Sequence, residues 1–226
     1  MKTSKKAPPK RVRVLIVDDH PMTREGLAHL IANQPDLMVC AEAATAAAAL
    51  TAALKSRPDL VLADFTLPDK SGIELVKDLH AVQPGLPVLI ISMHEESLYA
   101  ERALKAGAAG YIMKVAGGEK LMEAIRRVLA GEVYVSGKIS AQILKSMVTK
   151  PGAGAGPSVG QLSDREFEIF GLIAQGLATR DIGGRLHIST KTVEAHRMNI
   201  KAKLGLDTAA ALIAYAARWT AETGAR

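Results

Sequence analysis

Val12-Arg-Val-Leu-Ile-Val-Asp-Asp19 is a short apolar run that stops abruptly on two carboxylates. A second run, Pro58-Asp-Leu-Val-Leu-Ala-Asp64, ends the same way. Runs of this length, rich in Val, Leu and Ile, read as strands buried on both faces. Three more runs, at 37–42, 87–92 and 109–113, alternate with helical patterns near 21–33, 45–56, 71–81 and 95–105, and a last helix is expected at 118–130. Strands alternating with helices make βαβ units and therefore a parallel sheet. The expected fold is α/β, a (βα)5 doubly wound parallel sheet over residues 12–132.

The rest of the chain has a different character. Residues 133–160 read as a linker that includes a helix near 138–148 and ends in the breaker-rich stretch Thr149-Lys-Pro-Gly-Ala-Gly-Ala-Gly-Pro-Ser-Val-Gly160. From 161 to 226 the pattern is all helical. Ser163 and Glu166 form a capping box, and the first helix runs to about Gln175. A second helix covers about Thr179 to Leu186, a third runs from Ser189 to near Gly205, and a fourth covers about 208–219. This is helix-turn-helix spacing.

The charge sharpens the division. The net charge is +6, but residues 1–11 alone carry +5, residues 12–150 carry −1 and residues 151–226 carry +2. The excess belongs mainly to a basic tail, expected to be disordered. One cysteine, Cys40, excludes an internal disulfide and a Cys-based zinc site; within its apolar run it reads as a buried strand thiol. No apolar run approaches the ~18 residues of a membrane span, so a cytoplasmic setting with no membrane partner is expected.

Ligands of an open parallel sheet bind outside the carboxyl ends of its strands. Those ends carry Asp18 and Asp19, Asp64, Ser92, and the run Tyr111-Ile-Met-Lys114. Three converging acids repel one another unless a cation or proton intervenes, and hard oxygen ligands suit Mg²⁺. A carboxylate beside such an ion can become a nucleophile toward phosphorus. Lys114 balances charge, and Ser92 offers a hydroxyl. His20 and His94 flank the pocket; no fixed metal-ligand spacing links them, and they read as loop residues.

Residues 12–130 resemble a bacterial response-regulator receiver domain. The resemblance rests on Val17-Asp-Asp-His-Pro21, Asp64-Phe-Thr-Leu-Pro68 followed by Gly72, Ile91-Ser92, and Gly110-Tyr-Ile-Met-Lys114. It implies that Asp64 accepts phosphoryl from a sensor histidine kinase. It implies Mg²⁺ held by Asp19, Asp64 and the Thr66 backbone carbonyl, with Asp18 acting through water. Ser92 and Tyr111 would form a switch pair, with the Tyr111 ring entering space that Ser92 leaves after phosphorylation, and Lys114 would bridge to the acyl phosphate.

A second resemblance covers about 160–222. Leu162-Ser-Asp-Arg-Glu166, Ile173-Ala-Gln-Gly176, Ile188-Ser-Thr-Lys-Thr-Val193, His196 and Ile200-Lys-Ala-Lys-Leu204 look like a LuxR-type helix-turn-helix. A receiver joined to this module resembles the NarL/FixJ transcription regulators. Helical periodicity sets Val193, Ile200 and Leu204 on a core stripe, with Lys191, Glu194, Ala195, Met198 and Ala202 opposite. The family pattern places base contacts at Glu194, Ala195 and Met198. Thr192 joins the DNA-binding set, and Lys191, Arg197, Lys201 and Lys203 are candidate phosphate contacts. Gly183-Gly184 departs from the family pattern, leaving the supporting helix either frayed or closely packed. The last helix, with Ala209, Leu212, Ile213 and Tyr215, resembles a dimerising helix for reading paired half-sites on promoter DNA.

Two competing readings remain open in the sequence. The receiver could be a dimerisation module insensitive to phosphate, or the sheet could belong to an enzyme. Against the latter, no Gly-x-Gly-x-x-Gly loop follows the first strand. Beyond accepting phosphoryl and losing it slowly, no substrate turnover is expected. We expect the two domains to contact each other or compete for surfaces before phosphorylation.

Overall fold

The computed structural model describes residues 11–148 and 159–223. Almost all of the basic tail 1–11, most of the expected Gly/Pro-rich linker segment 149–160 and the C-terminal residues 224–226 lie outside the described residues.

The first domain is a five-stranded parallel sheet in the order β2-β1-β3-β4-β5. Its strands are β1 (Val12–Val17), β2 (Leu37–Ala43), β3 (Leu60–Asp64), β4 (Val88–Ser92) and β5 (Gly110–Met113). Helices α1 (Pro21–Ala32) and α5 (Gly118–Leu129) cover one face, while α2 (Ala46–Ser56), α3 (Gly72–Val82) and α4 (Glu96–Lys105) cover the other. Every residue of β3 and β4 is buried, as their unbroken apolar runs require. The chain order reverses between β1 and β3, so a crevice opens where Asp18 and Asp64 end their strands. Cys40 differs from expectation. Its strand β2 lies at the sheet edge, which leaves the thiol half-buried, 3.5 Å from Ser56 Oγ.

Local chemistry sets the helix starts around the crevice. Pro21 occupies the first position of α1, where a missing N–H costs nothing. Ser71 and Glu74 cap α3 reciprocally. Gly72 is obligatory there, because a Cβ would sit 2.4 Å from the Asp64 carbonyl oxygen. The start of α3 is thereby held against the end of β3.

After α5 the chain returns along the open edge of β5. Tyr134 pairs with the sheet, its N–H donating to Ala109 O at 3.1 Å and its carbonyl accepting from Tyr111 N at 2.8 Å. Helix α6 (Gly137–Val148) follows. The second domain comprises α7 (Asp164–Ala174), α8 (Thr179–Arg185), α9 (Thr190–Leu204) and α10 (Ala209–Thr223). Helix α10 extends a turn beyond the expected 208–219, because Trp219 packs edge-on against Phe167 and Phe170. Gly183 resolves the question of the supporting helix: a Cβ there would meet Ile188 O at 2.8 Å, so α8 is closely packed at that point, whereas Gly184 faces open space.

The two domains share one hydrophobic core. It runs from Val61, Ala63 and Ile90 on the sheet through Tyr99 of α4 into Phe167, Phe170 and Leu172 of α7. The Tyr99 and Phe167 rings meet edge to face with centroids 5.1 Å apart.

Candidate functional site

The strand-end acids converge as the sequence requires. Asp18 is 1% exposed and Asp64 6% exposed. Lys114 Nζ lies 2.6 Å from Asp18 Oδ2 and 2.8 Å from Asp64 Oδ2. Burial pushes the Asp64 carboxyl up to about 6, an effect reinforced by Asp18 and only partly offset by Lys114. Burial works against the Lys114 ammonium, but the two carboxylates outweigh it and raise its pKa. The pocket therefore holds two more negative charges than its lysine can match once Asp19 is counted.

Asp19 defines where a cation fits. Its Oδ1 is shut off from solvent and receives no well-directed hydrogen bond, although His20 Nδ1 lies 2.7 Å away. Asp18, Asp19, His20 and Asp64 each offer one ligand atom, all within 4.8 Å of one another. This donor set suits a divalent ion. His20 is thus part of the acidic cluster, which its reading as a flanking loop residue did not anticipate.

The expected switch residues sit in an unexpected arrangement. Ser92 is fully buried and its Oγ accepts from His94 N at 2.9 Å. The Tyr111 ring is also fully buried, its hydroxyl donating to His94 O at 3.0 Å. The ring already occupies the inward position that it was expected to enter only after phosphorylation. Phe65 meets the Tyr111 ring edge to face and in turn contacts the His94 and Tyr99 rings, so the inward ring joins an aromatic cluster. His94 is buried and its pKa falls to about 4, first through desolvation and then through the nearby charges of Arg185 and Lys114.

The second domain overlies this pocket. Asp64, Asp19, Thr66 and Lys114 line a cleft of about 330 Å³ whose far wall is Gly184, Arg185 and His187. Thr66 Oγ1 donates to Glu168 Oε1 at 3.0 Å and lies 3.2 Å from His94 Nε2. Glu168 is fully buried, and Arg165 pairs with it at 2.6 Å. Desolvation raises the Glu168 pKa, opposed by Arg165 and by the hydrogen bond from Thr66. Farther out, Asp164 pairs with Lys77 at 2.7 Å and Arg102 at 3.4 Å. Arg102 also donates to the carbonyls of Leu162 and Val159 and stacks 4.0 Å over the Phe167 ring. One sequence signal for Glu168 existed, a lone acid within the apolar run Phe167–Ile173. His187 and Gly171 carried none.

Gly171 marks a close approach between the domains, since a Cβ there would lie 2.5 Å from Tyr99 Oη. Alanine favours a helix interior by about 1 kcal/mol over glycine. Gly171→Ala is therefore expected to keep the second domain folded, judged by Trp219 fluorescence, while undocking it. Faster hydrogen exchange at α4 amides is the readout.

Helix α9 offers its expected outer face. Lys191, Thr192, Glu194, Ala195, Met198 and Ala202 are exposed, and Val193, Ile200 and Leu204 are buried. Docking leaves this face open. Several polar groups on it are already engaged: Thr192 Oγ1 lies 2.8 Å from the capping Ser189 Oγ, and Thr179 donates to Glu194 at 2.6 Å while accepting from Arg197 at 3.2 Å. Lys201 is half-buried. Lys203, expected as a phosphate contact, has a partner within its own domain. It pairs at 2.6 Å with Glu166, which is 4% exposed and also caps α7. Burial opposes ionisation of Glu166, but Lys203 and the Ser163 N–H prevail and lower its pKa. Leu212 departs from the expected dimer surface. It is fully buried in its own domain's core, and Tyr215 packs on Phe170. Of the expected set, Ala209 and Ile213 face outward.

Comparison with known proteins agrees with this architecture. Residues 14–126 match the response regulator receiver domain, and residues 160–216 match the luxR family of bacterial regulatory proteins. The chain is 39% identical to the transcriptional activator protein ExaE of Pseudomonas putida, over 88% of this chain and 93% of that one. It is 35% identical to the oxygen regulatory protein NreC of Staphylococcus epidermidis, over 91% and 96% of the two chains. Among solved structures it resembles the response regulator ChrA of a heme-sensing two-component system, with 31% identity, a TM-score of 0.50, and 93% and 98% of the chains covered. A sheet with acids at its topological switch point, joined to a helix-turn-helix and matched along nearly its whole length by such relatives, places the chain in the luxR-type family of transcriptional response regulators.

Proposed function

We propose that Asp64 accepts a phosphoryl group from a sensor histidine kinase and that this event controls promoter binding by α9 in a cytoplasmic homodimer. The observation that carries the reading is Lys114 Nζ within 2.8 Å of both Asp18 and Asp64 at the carboxyl edge of the sheet. An Asp64 carboxylate oxygen attacks phosphorus, and the bond from phosphorus to the donor's imidazole nitrogen breaks. Lys114 then exchanges its Asp64 contact for a phosphoryl oxygen. Asp18, Asp19, Asp64 and the Thr66 carbonyl would hold Mg²⁺, which supplies neutralisation of the phosphoryl oxygens. The chain has no further substrate to turn over.

The reader domain forms one wall of the Asp64 cleft. A kinase domain and the docked reader therefore compete for the same opening. Phosphorylation favours the undocked chain, since any event that binds only the open state shifts the equilibrium toward it. Docking leaves the outer face of α9 open, so its effect falls on the orientation and pairing of two readers, as half-site recognition requires.

Labelling by a small phosphodonor with Mg²⁺ tests the reading. A chelator should abolish labelling. Lys114→Met removes the cation that faces the transferring group and should slow labelling roughly 10²-fold, as loss of one electrostatic stabiliser does elsewhere. One observation favours a second reading, a receiver insensitive to phosphate: the Tyr111 ring is inside without a phosphoryl group. Equal DNA affinity with and without phosphodonor would select it.

A further inference from the structure

We propose that His187, in the turn between α8 and α9 of the reader, is a ligand of the receiver's metal site, so that a borderline divalent ion such as Co²⁺, Ni²⁺ or Zn²⁺ ties the two domains together. The inference rests on the reading of Asp18, Asp19 and Asp64 as a cation pocket. His187 Nε2 lies 3.3 Å from Asp19 Oδ2, across the domain boundary. His20 Nδ1 lies 3.3 Å from Asp18 Oδ1 and 2.7 Å from Asp19 Oδ1. Ligands sharing an ion with bonds of about 2.1 Å stand about 3.0–3.4 Å apart in octahedral and tetrahedral shells. The His187–Asp19 and His20–Asp18 spacings, both 3.3 Å, fall in that range.

The backbone supports this placement. His187 has φ of 53°, in the left-handed region that non-glycine residues seldom adopt. The turn is held by the Ile188 N–H, which donates to Gly183 O at 3.0 Å, and by the close approach at Gly183. It delivers the imidazole to the mouth of the Asp64 cleft. Opposite it, the buried Asp19 Oδ1 lacks a directed hydrogen bond.

The chemistry of the ion follows from the donors. Carboxylates and water suit Mg²⁺, which sheds its waters reluctantly. Two imidazoles added to the carboxylates favour ions later in the first-row series. The open receiver offers an oxygen-rich Mg²⁺ site with His20 beside it, and the docked chain adds His187. Such an ion therefore binds the docked form preferentially and stabilises it by linkage.

The test uses full-length, metal-stripped protein titrated with Co²⁺, followed by visible absorption and equilibrium dialysis. His187→Gly suits the left-handed backbone and removes the imidazole. The expected result is a Co²⁺ affinity lowered by at least about tenfold, the smaller end of what losing even an outer partner of a metal ligand costs, with an altered absorption band. His20→Ala, which leaves the reader intact, should lower it in the same direction. In wild type, Co²⁺ should slow hydrogen exchange in α7 and Mg²⁺ should not. Equal Co²⁺ affinity and identical spectra in wild type and His187→Gly would overturn the bridge. Mg²⁺-dependent phosphodonor labelling of the same wild-type preparation reports on the receiver separately, so its loss would strike the underlying reading and its persistence would confine a negative result to the bridge.

Discussion

Asp64→Asn is expected to bring phosphodonor labelling down to background, because the amide is no nucleophile toward phosphorus. The same substitution should stabilise the metal-free protein at neutral pH. The Asp64 carboxyl sits at about 6 in the folded chain, against an ordinary value of 3.8. A raised carboxyl favours the folded state when protonated. That advantage is fully present below the unfolded pKa and is lost as pH rises through about 6. One pKa unit corresponds to about 1.36 kcal/mol, so the ionised group costs on the order of 1–3 kcal/mol above pH ~6.5. Asparagine escapes that cost while Asp18 keeps Lys114 paired. Chelator-treated Asp64→Asn should therefore melt higher than wild type at pH ~7.5, with the difference fading toward pH ~4. A gain that persisted unchanged to low pH would assign the effect to packing instead.

Arg165→Met is expected to have the largest destabilising effect. Arg165 pairs with the fully buried Glu168 and also donates to Leu186 O at 2.8 Å. Removing the guanidinium strands a buried carboxylate, which costs about 3–5 kcal/mol where it stays charged. The loss should grow with pH, because burial already raises the Glu168 pKa and a neutral Glu168 at low pH has no charge to strand. Arg165→Met combined with Glu168→Leu should recover much of the stability, since an apolar pair of similar volume avoids the desolvation cost. Urea denaturation followed by the single tryptophan, Trp219, reports on the reader domain, where that ring packs on Phe167 and Phe170. An unchanged midpoint in the single variant would show that Glu168 does not carry its charge in the folded chain.

The sheet and the acid pocket were legible because the signals are local. Val14–Val17 and Leu60–Ala63 are apolar without interruption and stop on carboxylates, and the parallel order then places Asp18 and Asp64 together without further choice. The core stripe of α9 was equally legible, since Val193, Ile200 and Leu204 repeat with the helix. What escaped depends on contacts between distant segments. Lys203 reads as a free surface cation until Glu166 is seen 2.6 Å away. Leu212 reads as an exposed dimer contact until its own domain covers it. The inward Tyr111 ring packs on Phe65, which belongs to a cluster with Tyr99 and His94 drawn from different segments. His187 is one residue in a turn, and only the docked arrangement brings it beside Asp19.

The central claim is that a phosphoryl group on Asp64 governs what α9 does on DNA. The most direct measurement is genome-wide binding-site capture with purified wild-type protein and Asp64→Asn, each with and without phosphodonor and Mg²⁺, at fixed salt. The account predicts phosphodonor-dependent enrichment of discrete sites by wild type and none by Asp64→Asn. Equal enrichment in all four samples would contradict it and leave the receiver as a structural module.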